Sequence, residues 1–92
     1  MINHVKITVE AQKNLRKIPP PQIKKFQAWV RAVKKEGLME VRKCPGYHDE
    51  PLSGKWKGYR SIRLNKAYRA FYRIEKETIT FVIVDRVNKH EY

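Results

Sequence analysis

The sequence is poor in the residues that form cross-links and membrane spans. Cys44 is its only cysteine, so no disulfide can form within the chain, and a reducing compartment such as the cytoplasm is predicted. No apolar run has the length and flanks of a transmembrane helix or a signal peptide, so a membrane is the least favoured partner. The first ten residues alternate in polarity and are interpreted as the start of a mature protein.

Motifs for cofactors and metals are also missing. The sequence has no Walker loop, no GxGxxG and no HExxH. Cys44 and His48 have the spacing of half a metal site, but Pro45-Gly46 between them would break any helix that could align the two. We therefore expect neither a metal nor a cofactor.

Acidic residues are few. The chain of 92 residues has nine of them against 21 lysines and arginines, which gives a net charge of +12. Self-repulsion at this density destabilises a compact chain unless an anionic partner is near. Nucleic acid is the first candidate for that partner, and an acidic protein is the second. The length and the 41% of hydrophobic residues suit one domain over residues 1–92 with a modest core.

Hydrophobic spacing predicts the secondary structure. Ile23, Phe26, Val30 and Val33 recur at intervals of three and four, which indicates an amphipathic helix over residues 22–36 that ends at Gly37. The other predicted elements are a strand at 2–9, a helix at 10–17, a loop at 38–53 with one helical turn near 39–43, and strands at 59–64, 67–75 and 78–84. The last strand is apolar on both faces and should lie inside a sheet. The predicted fold class is α+β, in the order β-α-α-β-β-β, with both helices on one face of the sheet.

Residues 50–73 combine positive charge with aromatic rings. After Glu50 this stretch has no acidic residue, and its seven cations are Lys55, Lys57, Arg60, Arg63, Lys66, Arg69 and Arg73. The aromatic residues among them are Trp56, Tyr59, Tyr68, Phe71 and Tyr72. Clustered cations attract a polyanion, and aromatic rings offer faces on which bases stack. A pair of solvated strands in a basic protein is the alternative interpretation.

A chain of this kind could cut RNA with its own side chains, because RNA carries its own nucleophile. The ribose 2′-hydroxyl attacks the adjacent phosphate when a base removes its proton and an acid protonates the departing 5′-oxygen. Fixed cations must stabilise the extra charge on the phosphorane. Glu50, Arg63, Arg69 and His90 are the groups available for these tasks. Arg63 and Arg69 flank a predicted turn at Asn65-Lys66, so their two guanidiniums could hold one phosphate; solvation of each arginine is the alternative.

The stretch "EPLSGKWKGYRSIRLNKAYRAFYRI", followed by an apolar strand and a terminal "VNKHEY", resembles the RelE/ParE superfamily of bacterial toxins. The likeness is greatest to the RelE-, YoeB- and HigB-type messenger-RNA interferases. It implies a RelE-like domain with a mainly antiparallel twisted sheet. It also implies a cytoplasmic toxin of a type II toxin–antitoxin pair that cleaves messenger RNA on the ribosome without a metal. The implied partners are messenger RNA, ribosomal RNA and a cognate antitoxin. A ParE-like inhibitor of DNA gyrase and a non-toxic RNA-binding adaptor are the alternatives.

The resemblance also assigns roles to residues. Glu50 matches the general base of the YoeB-like branch, and Arg69 in "YRAFY" matches the arginine that stabilises the phosphate in the transition state. Arg63 takes the place of a lysine or arginine on the preceding strand. His90 resembles the near-terminal general acid and Tyr92 the closing aromatic, although the tail reads HEY where the family has the two residues adjacent.

The resemblance and the basic run together define the expected site. The expected catalytic residues are Glu50, Arg69, His90 and Tyr92. The expected RNA-binding residues are His48, Lys55, Lys57, Arg60, Arg63 and Arg73. Because some branches of the family use a histidine in the loop, His48 is the alternative to His90 as the functional histidine.

Overall fold

Residues 1–86, the part of the chain that the computed structural model describes, form one mixed sheet with helices. The elements are β1 (His4–Ile7), α1 (Val9–Leu15), α2 (Pro20–Glu36), α3 (Leu38–Val41), β2 (Glu50–Pro51), β3 (Arg60–Arg63), β4 (Tyr68–Glu75) and β5 (Thr78–Arg86), with 3-10 turns at Pro45–Tyr47 and Gly54–Trp56. The strand order is β1-β5-β4-β3-β2. β1 runs parallel to β5, and the other neighbouring pairs are antiparallel. The predicted α+β class and the interior position of β5 are confirmed.

Local sequence determines where the helices begin and end. Thr8 caps α1, because its Oγ1 accepts a hydrogen bond from the amide of Ala11 at 3.2 Å. α2 begins at Pro20, in a first turn where a missing amide donor costs nothing. It ends as predicted at Gly37, which has a φ of +85° and whose amide donates to the carbonyl of Val33 at 2.8 Å. None of the helices within residues 1–86 is both long enough and apolar enough to cross a membrane.

The core lies between α2 and one face of the sheet. Phe26 and Trp29 of α2 meet Phe81 of β5 edge to face, with ring centroids 4.8 and 5.2 Å apart. Trp29 also packs on Tyr72 of β4 at 5.6 Å. All four rings are at most 2% exposed. Rings at these distances and angles are attractive beyond the apolar area that they bury, so this cluster joins α2 to the middle of the sheet.

One hairpin loop agrees with the predicted turn at Asn65-Lys66, the other turns at Lys76-Glu77, and one strand is unexpected. Asn65 Oδ1 accepts hydrogen bonds from the amides of Ala67 and Tyr68 at 2.7 and 2.8 Å and so closes the loop between β3 and β4. Lys76 and Glu77 both have positive φ, at 49° and 66°, as in a two-residue type I′ turn. β2 was not predicted, because two residues between turns show no periodicity.

The expectation that Phe71 and Tyr72 offer their rings to bases is wrong. Phe71 is 1% exposed and Tyr72 is 0% exposed. Successive residues of a strand point to opposite faces. Tyr72 therefore lies in the core against Trp29, while Phe71 lies on the other face and is covered there by Trp56, at a centroid distance of 4.9 Å. The sequence showed that aromatic residues were abundant but not which of them the fold would cover.

Replacement of Phe81 by alanine should lower the free energy of unfolding by about 3–5 kcal/mol. The ring fills the space between Phe26, Trp29 and Tyr72, and its loss leaves a cavity that these rings cannot close. Urea denaturation followed by circular dichroism measures the change. Met39→Ala is the control, because Met39 is 61% exposed and its truncation should change stability by no more than about 0.5 kcal/mol. Equal losses in the two variants would contradict this assignment of the core.

Candidate active site

The strand register brings polar residues that are distant in sequence to one face of the sheet. Glu50 of β2 pairs with Ser61 of β3, and Arg63 of β3 pairs with Arg69 of β4. Registered partners point to the same side of a sheet, as do residues two apart along a strand. These four side chains and Phe71 therefore lie on the face opposite to α2, which we call the open face.

Arg69 is the centre of the cluster on the open face. Its Nη1 donates hydrogen bonds to Oε1 of Glu50 at 2.7 Å and to Oγ of Ser61 at 3.0 Å. The Arg69 side chain is 9% exposed and that of Glu50 is 52% exposed. The buried guanidinium of Arg69 is thus covered by the solvent-exposed carboxylate of Glu50. The structure brings these two predicted residues into contact, and a proton acceptor beside a fixed cation is what attack by a hydroxyl on a phosphate requires.

Arg63 lies directly opposite Arg69 across the β3–β4 pair. Like charges in this position destabilise a sheet. Nε of Arg63 is buried and has no hydrogen-bond partner among residues 1–86. A buried donor without an acceptor costs about 1–3 kcal/mol. An anion bound between the two arginines would reduce both costs, so the pair has the electrostatics of a phosphate site.

Asp49 is a buried carboxylate to which the sequence pattern gave no role. Its Oδ2 accepts a hydrogen bond from the hydroxyl of Tyr72 at 2.6 Å, and its Oδ1 accepts one from Nε of Arg60 at 2.7 Å. The Asp49 side chain is 0% exposed. Because Asp49 directly precedes Glu50, these two bonds hold the chain at the start of β2 and keep Glu50 over Arg69.

Arg60 is turned toward Asp49, although it was expected to contact RNA. Its side chain is 20% exposed. Burial acts to lower the pKa of Arg60, but the hydrogen bond to Asp49 and the negative charge of that residue raise it overall. The geometry therefore gives Arg60 the role of supporting Asp49. A general rule bears on the contact between Tyr72 and Asp49: a buried tyrosine hydroxyl usually has a polar partner.

Aromatic rings and Arg73 continue the open face along β4. Trp56 packs edge to face on Tyr59 and on Phe71, with centroids 5.2 and 4.9 Å apart. Nη1 of Arg73 donates to the Tyr59 hydroxyl at 2.6 Å, and Nε of Arg73 donates to Glu75. The Arg73 side chain remains 40% exposed. It is thus held in place from two sides and still accessible to a ligand.

Three other residues expected to bind RNA lie on loops. Lys55 and Lys57 are exposed in the connection between β2 and β3, whose Trp56 covers part of the open face. Neither lysine forms an ion pair with a residue in the described part of the chain. His48 is exposed directly before Asp49 and has left-handed backbone geometry, with a φ of +44°. All three side chains can be reached from solvent.

The expected proton donor His90 and the expected aromatic residue Tyr92 lie outside the described residues, so their roles stay predictions. Within residues 1–86, no three histidine, cysteine, aspartate or glutamate side chains are grouped so that they could hold a metal ion.

A second carboxylate, Asp85 of β5, is the register partner of Arg69 on the side away from Arg63. Arg69 thus lies between a cationic neighbour and an anionic one.

Solved toxin structures share this fold. The toxin–antitoxin complex RelBE2 from Mycobacterium tuberculosis matches with 27% sequence identity and a TM-score of 0.60, over 95% of this chain and 100% of that chain. YafQ from E. coli matches with 17% identity and a TM-score of 0.67, over 91% and 92% of the two chains. The YoeB–YefM complex from Staphylococcus aureus matches with 17% identity and a TM-score of 0.69, over 92% and 97%. No relative among curated proteins matches significantly.

The fold is therefore that of the RelE/YoeB/YafQ-type toxins. The family model described as ParE toxin of type II toxin–antitoxin system, parDE, matches residues 5–91. The chain belongs to this family, and the protein is a toxin of a type II toxin–antitoxin system. The resemblance inferred from the motifs of residues 50–92 is confirmed.

Replacement of Tyr72 by phenylalanine tests the contact with Asp49 through its pH dependence. Burial, followed by the hydrogen bond to Asp49 and the negative charge of that residue, raises the pKa of Tyr72 well above the ordinary value of 10.0. The folded protein therefore keeps the phenol proton at a pH where the unfolded chain loses it. This contribution to stability is complete below about pH 10 and is lost as the pH increases further.

Above about pH 10, the free energy of unfolding of the wild type should decrease with pH more steeply than that of Tyr72→Phe, by up to about 1.4 kcal/mol per pH unit. At neutral pH the variant should be less stable by about 1–3 kcal/mol, because Asp49 stays buried with one donor fewer. Urea denaturation at a series of pH values measures both effects. Parallel pH curves for the two proteins would show that Tyr72 does not keep its proton in the fold.

Proposed function

We propose that this toxin is a metal-independent endoribonuclease that cleaves messenger RNA on the ribosome. The observation that carries the proposal is the contact between Glu50 and Arg69, 2.7 Å apart on the open face of a strongly basic protein. A half-exposed carboxylate can take up a proton, and the sunken guanidinium supplies fixed positive charge beside it. These are two of the functions needed for a reaction in which RNA supplies its own nucleophile.

In the proposed reaction, Glu50 removes the proton of the ribose 2′-hydroxyl, and that oxygen attacks the adjacent phosphorus. Arg69 and Arg63 stabilise the negative charge that accumulates on the phosphorane. The bond from phosphorus to the 5′-oxygen then breaks, and His90 donates a proton to that oxygen. The products are a 2′,3′-cyclic phosphate and a 5′-hydroxyl end, and the proton taken up by Glu50 balances the proton given by His90.

Residues around this centre would bind the RNA strand. Lys55 and Lys57, which are exposed and not ion-paired within the described residues, would hold flanking phosphates. Arg73 would contact the backbone farther along β4. Tyr92 would stack on a base or orient the substrate. His48, beside the start of β2, is the alternative proton donor.

The proposed partners are messenger RNA, ribosomal RNA and a cognate antitoxin, in the bacterial cytoplasm. The net charge of +12 favours polyanions. The RelBE2 and YoeB–YefM structures are complexes of a toxin with its antitoxin. An acidic or amphipathic segment of the antitoxin would cover the open face and neutralise part of its charge. Affinity for RNA should fall steeply with salt, because binding releases counterions.

Inhibition of DNA gyrase is the second candidate function. It is favoured by one observation, the match of the chain to the ParE toxin model. In this case the open face would bind a protein or a protein–DNA complex without cleaving RNA. Expression of the toxin would stop growth and cause DNA damage signalling while messenger RNA stays intact, so an RNA integrity assay in arrested cells distinguishes the two functions.

Replacement of Arg69 should slow RNA cleavage in a ribosome-containing assay by about 10²–10³-fold, because the phosphorane loses its fixed cation. Arg69→Lys keeps the charge without the forked geometry and should be intermediate. Arg16→Ala removes an exposed arginine from the end of α1 and should cleave like the wild type. Circular dichroism checks that each variant is folded. Cleavage by folded Arg69→Ala at the wild-type rate would exclude Arg69 from the mechanism.

Glu50→Gln separates proton transfer from binding. Cleavage should slow by about 10²–10⁴-fold, the usual contribution of a general base. Binding of 2′-O-methyl RNA, which has no free hydroxyl to attack, should stay equal or become tighter, because one negative charge has left the open face. Glu40→Gln is the control, since Glu40 is exposed on α3 and pairs only with Lys43 among described residues. If cleavage and binding fell together, Glu50 would be needed for binding and not as the base.

A further inference from the structure

A second cationic site lies on the open face, two strands away from Arg69. β5 joins β1 to β4 in register, so that Lys6 pairs with Thr80 and Thr80 pairs with Arg73. Registered side chains share a face, and Arg73 is on the same side of β4 as Arg69 because the two are four residues apart. Lys6, Thr80 and Arg73 therefore form one row across three strands of the open face.

A shallow depression lies next to this row. It has a volume of about 550 Å³ and is lined by Lys6, Glu75, Lys76, Thr78 and Thr80. Its one carboxylate, Glu75, pairs with Arg73. Neither lysine forms an ion pair within the described part of the chain. The depression is thus lined by two lysines and two threonines, and its one acidic residue is already paired with an arginine.

We propose that this depression is an anion subsite that holds a backbone phosphate of the same RNA strand whose scissile phosphate lies at Arg69. The proposal rests on the proposed ribonuclease function for the identity of the ligand. Lysine is a point charge that binds phosphate without a strict geometry, and threonine hydroxyls can donate to phosphate oxygens. These groups do not read base edges, so the subsite would position RNA without regard to sequence.

The distance from Arg69 suits a bound strand. Four residues along β4 and two strand spacings across to β1 separate Arg69 from Lys6, which gives about 16 Å at roughly 3.3 Å per residue and 4.8 Å per strand. At the helical rise of about 3.4 Å per nucleotide, this is about five stacked nucleotides. Arg73, on the strand of Arg69 and in the row of Lys6, lies along this path. A strand of about ten nucleotides can therefore reach both sites at once.

An edge-strand lysine also has a structural explanation. β1 is at the edge of the sheet, and charged side chains on edge strands prevent pairing with another chain. This explanation applies to Lys6 but not to Lys76, which lies in the hairpin turn and is not part of an edge. The two explanations predict different defects: self-association when edge protection is lost, and weaker RNA binding when an anion subsite is lost.

The test is the double variant Lys6→Ala/Lys76→Ala, with Lys13→Ala/Lys35→Ala as the matched control. The control removes two exposed lysines from α1 and α2, two helices that contribute residues to the core. The probe is 2′-O-methyl RNA of about ten nucleotides, with affinity measured over a range of salt concentrations. Loss of the one phosphate held in the depression should make the slope of log affinity against log salt shallower by about 0.7. The control pair should leave the slope nearly unchanged.

Two further measurements complete the test: the kinetics of RNA cleavage and the affinity for duplex DNA. In the ribosome-containing assay, the Lys6/Lys76 variant should have a raised KM and an unchanged kcat, because the subsite binds RNA and does not take part in the chemistry. Three outcomes would overturn the subsite. They are equal salt slopes for the two double variants, self-association of the Lys6/Lys76 variant without a change in RNA affinity, and a larger effect of this variant on binding to duplex DNA than on binding to RNA. Binding that behaves as expected in a wild-type protein that cleaves no RNA would overturn the ribonuclease proposal alone.

Discussion

The charge of Arg69 inside the sheet surface is the constraint on which the site depends. An arginine residue only 7% exposed has been largely removed from water, and a buried charge is tolerated only when its donors find acceptors. Glu50 and Ser61 supply acceptors from β2 and β3. The pairing of three strands must therefore be correct before Arg69 is stabilised. The same contact places a proton acceptor beside the cation, so folding and assembly of the proposed active site are one event.

A second buried network holds the acceptor in position. Asp49 is fixed by Tyr72 from the core and by Arg60 from the neighbouring strand, directly before Glu50 in the chain. Removal of one partner from such a network leaves a buried charge without its hydrogen bond. This loss destabilises the fold more than the loss of a surface ion pair does. The short strand β2, with two residues, therefore does not depend on its own ladder to stay in place. Its position is secured by bonds that reach into the aromatic core.

The two faces of the sheet have different roles. One face is covered by α2 and contains the aromatic cluster around Trp29 and Phe81. The open face contains the cations and keeps them near each other despite their repulsion. This arrangement leaves charge that an anionic partner can neutralise. Binding of such a partner would stabilise the fold as well as occupy the site.

The sequence by itself determined the order of the helices and of the longer strands and the toxin family, and it marked Glu50 and Arg69 as expected site residues without showing that they meet. These features depend on local periodicity, on proline and glycine punctuation and on a contiguous motif, all of which can be read along the chain. Only the tertiary structure decided that Phe71 and Tyr72 are covered, that Arg60 supports Asp49, and that Lys6 joins Arg73 in one row. Those outcomes depend on which strands become neighbours and in which register, and a shift of one residue would have turned every side chain to the opposite face.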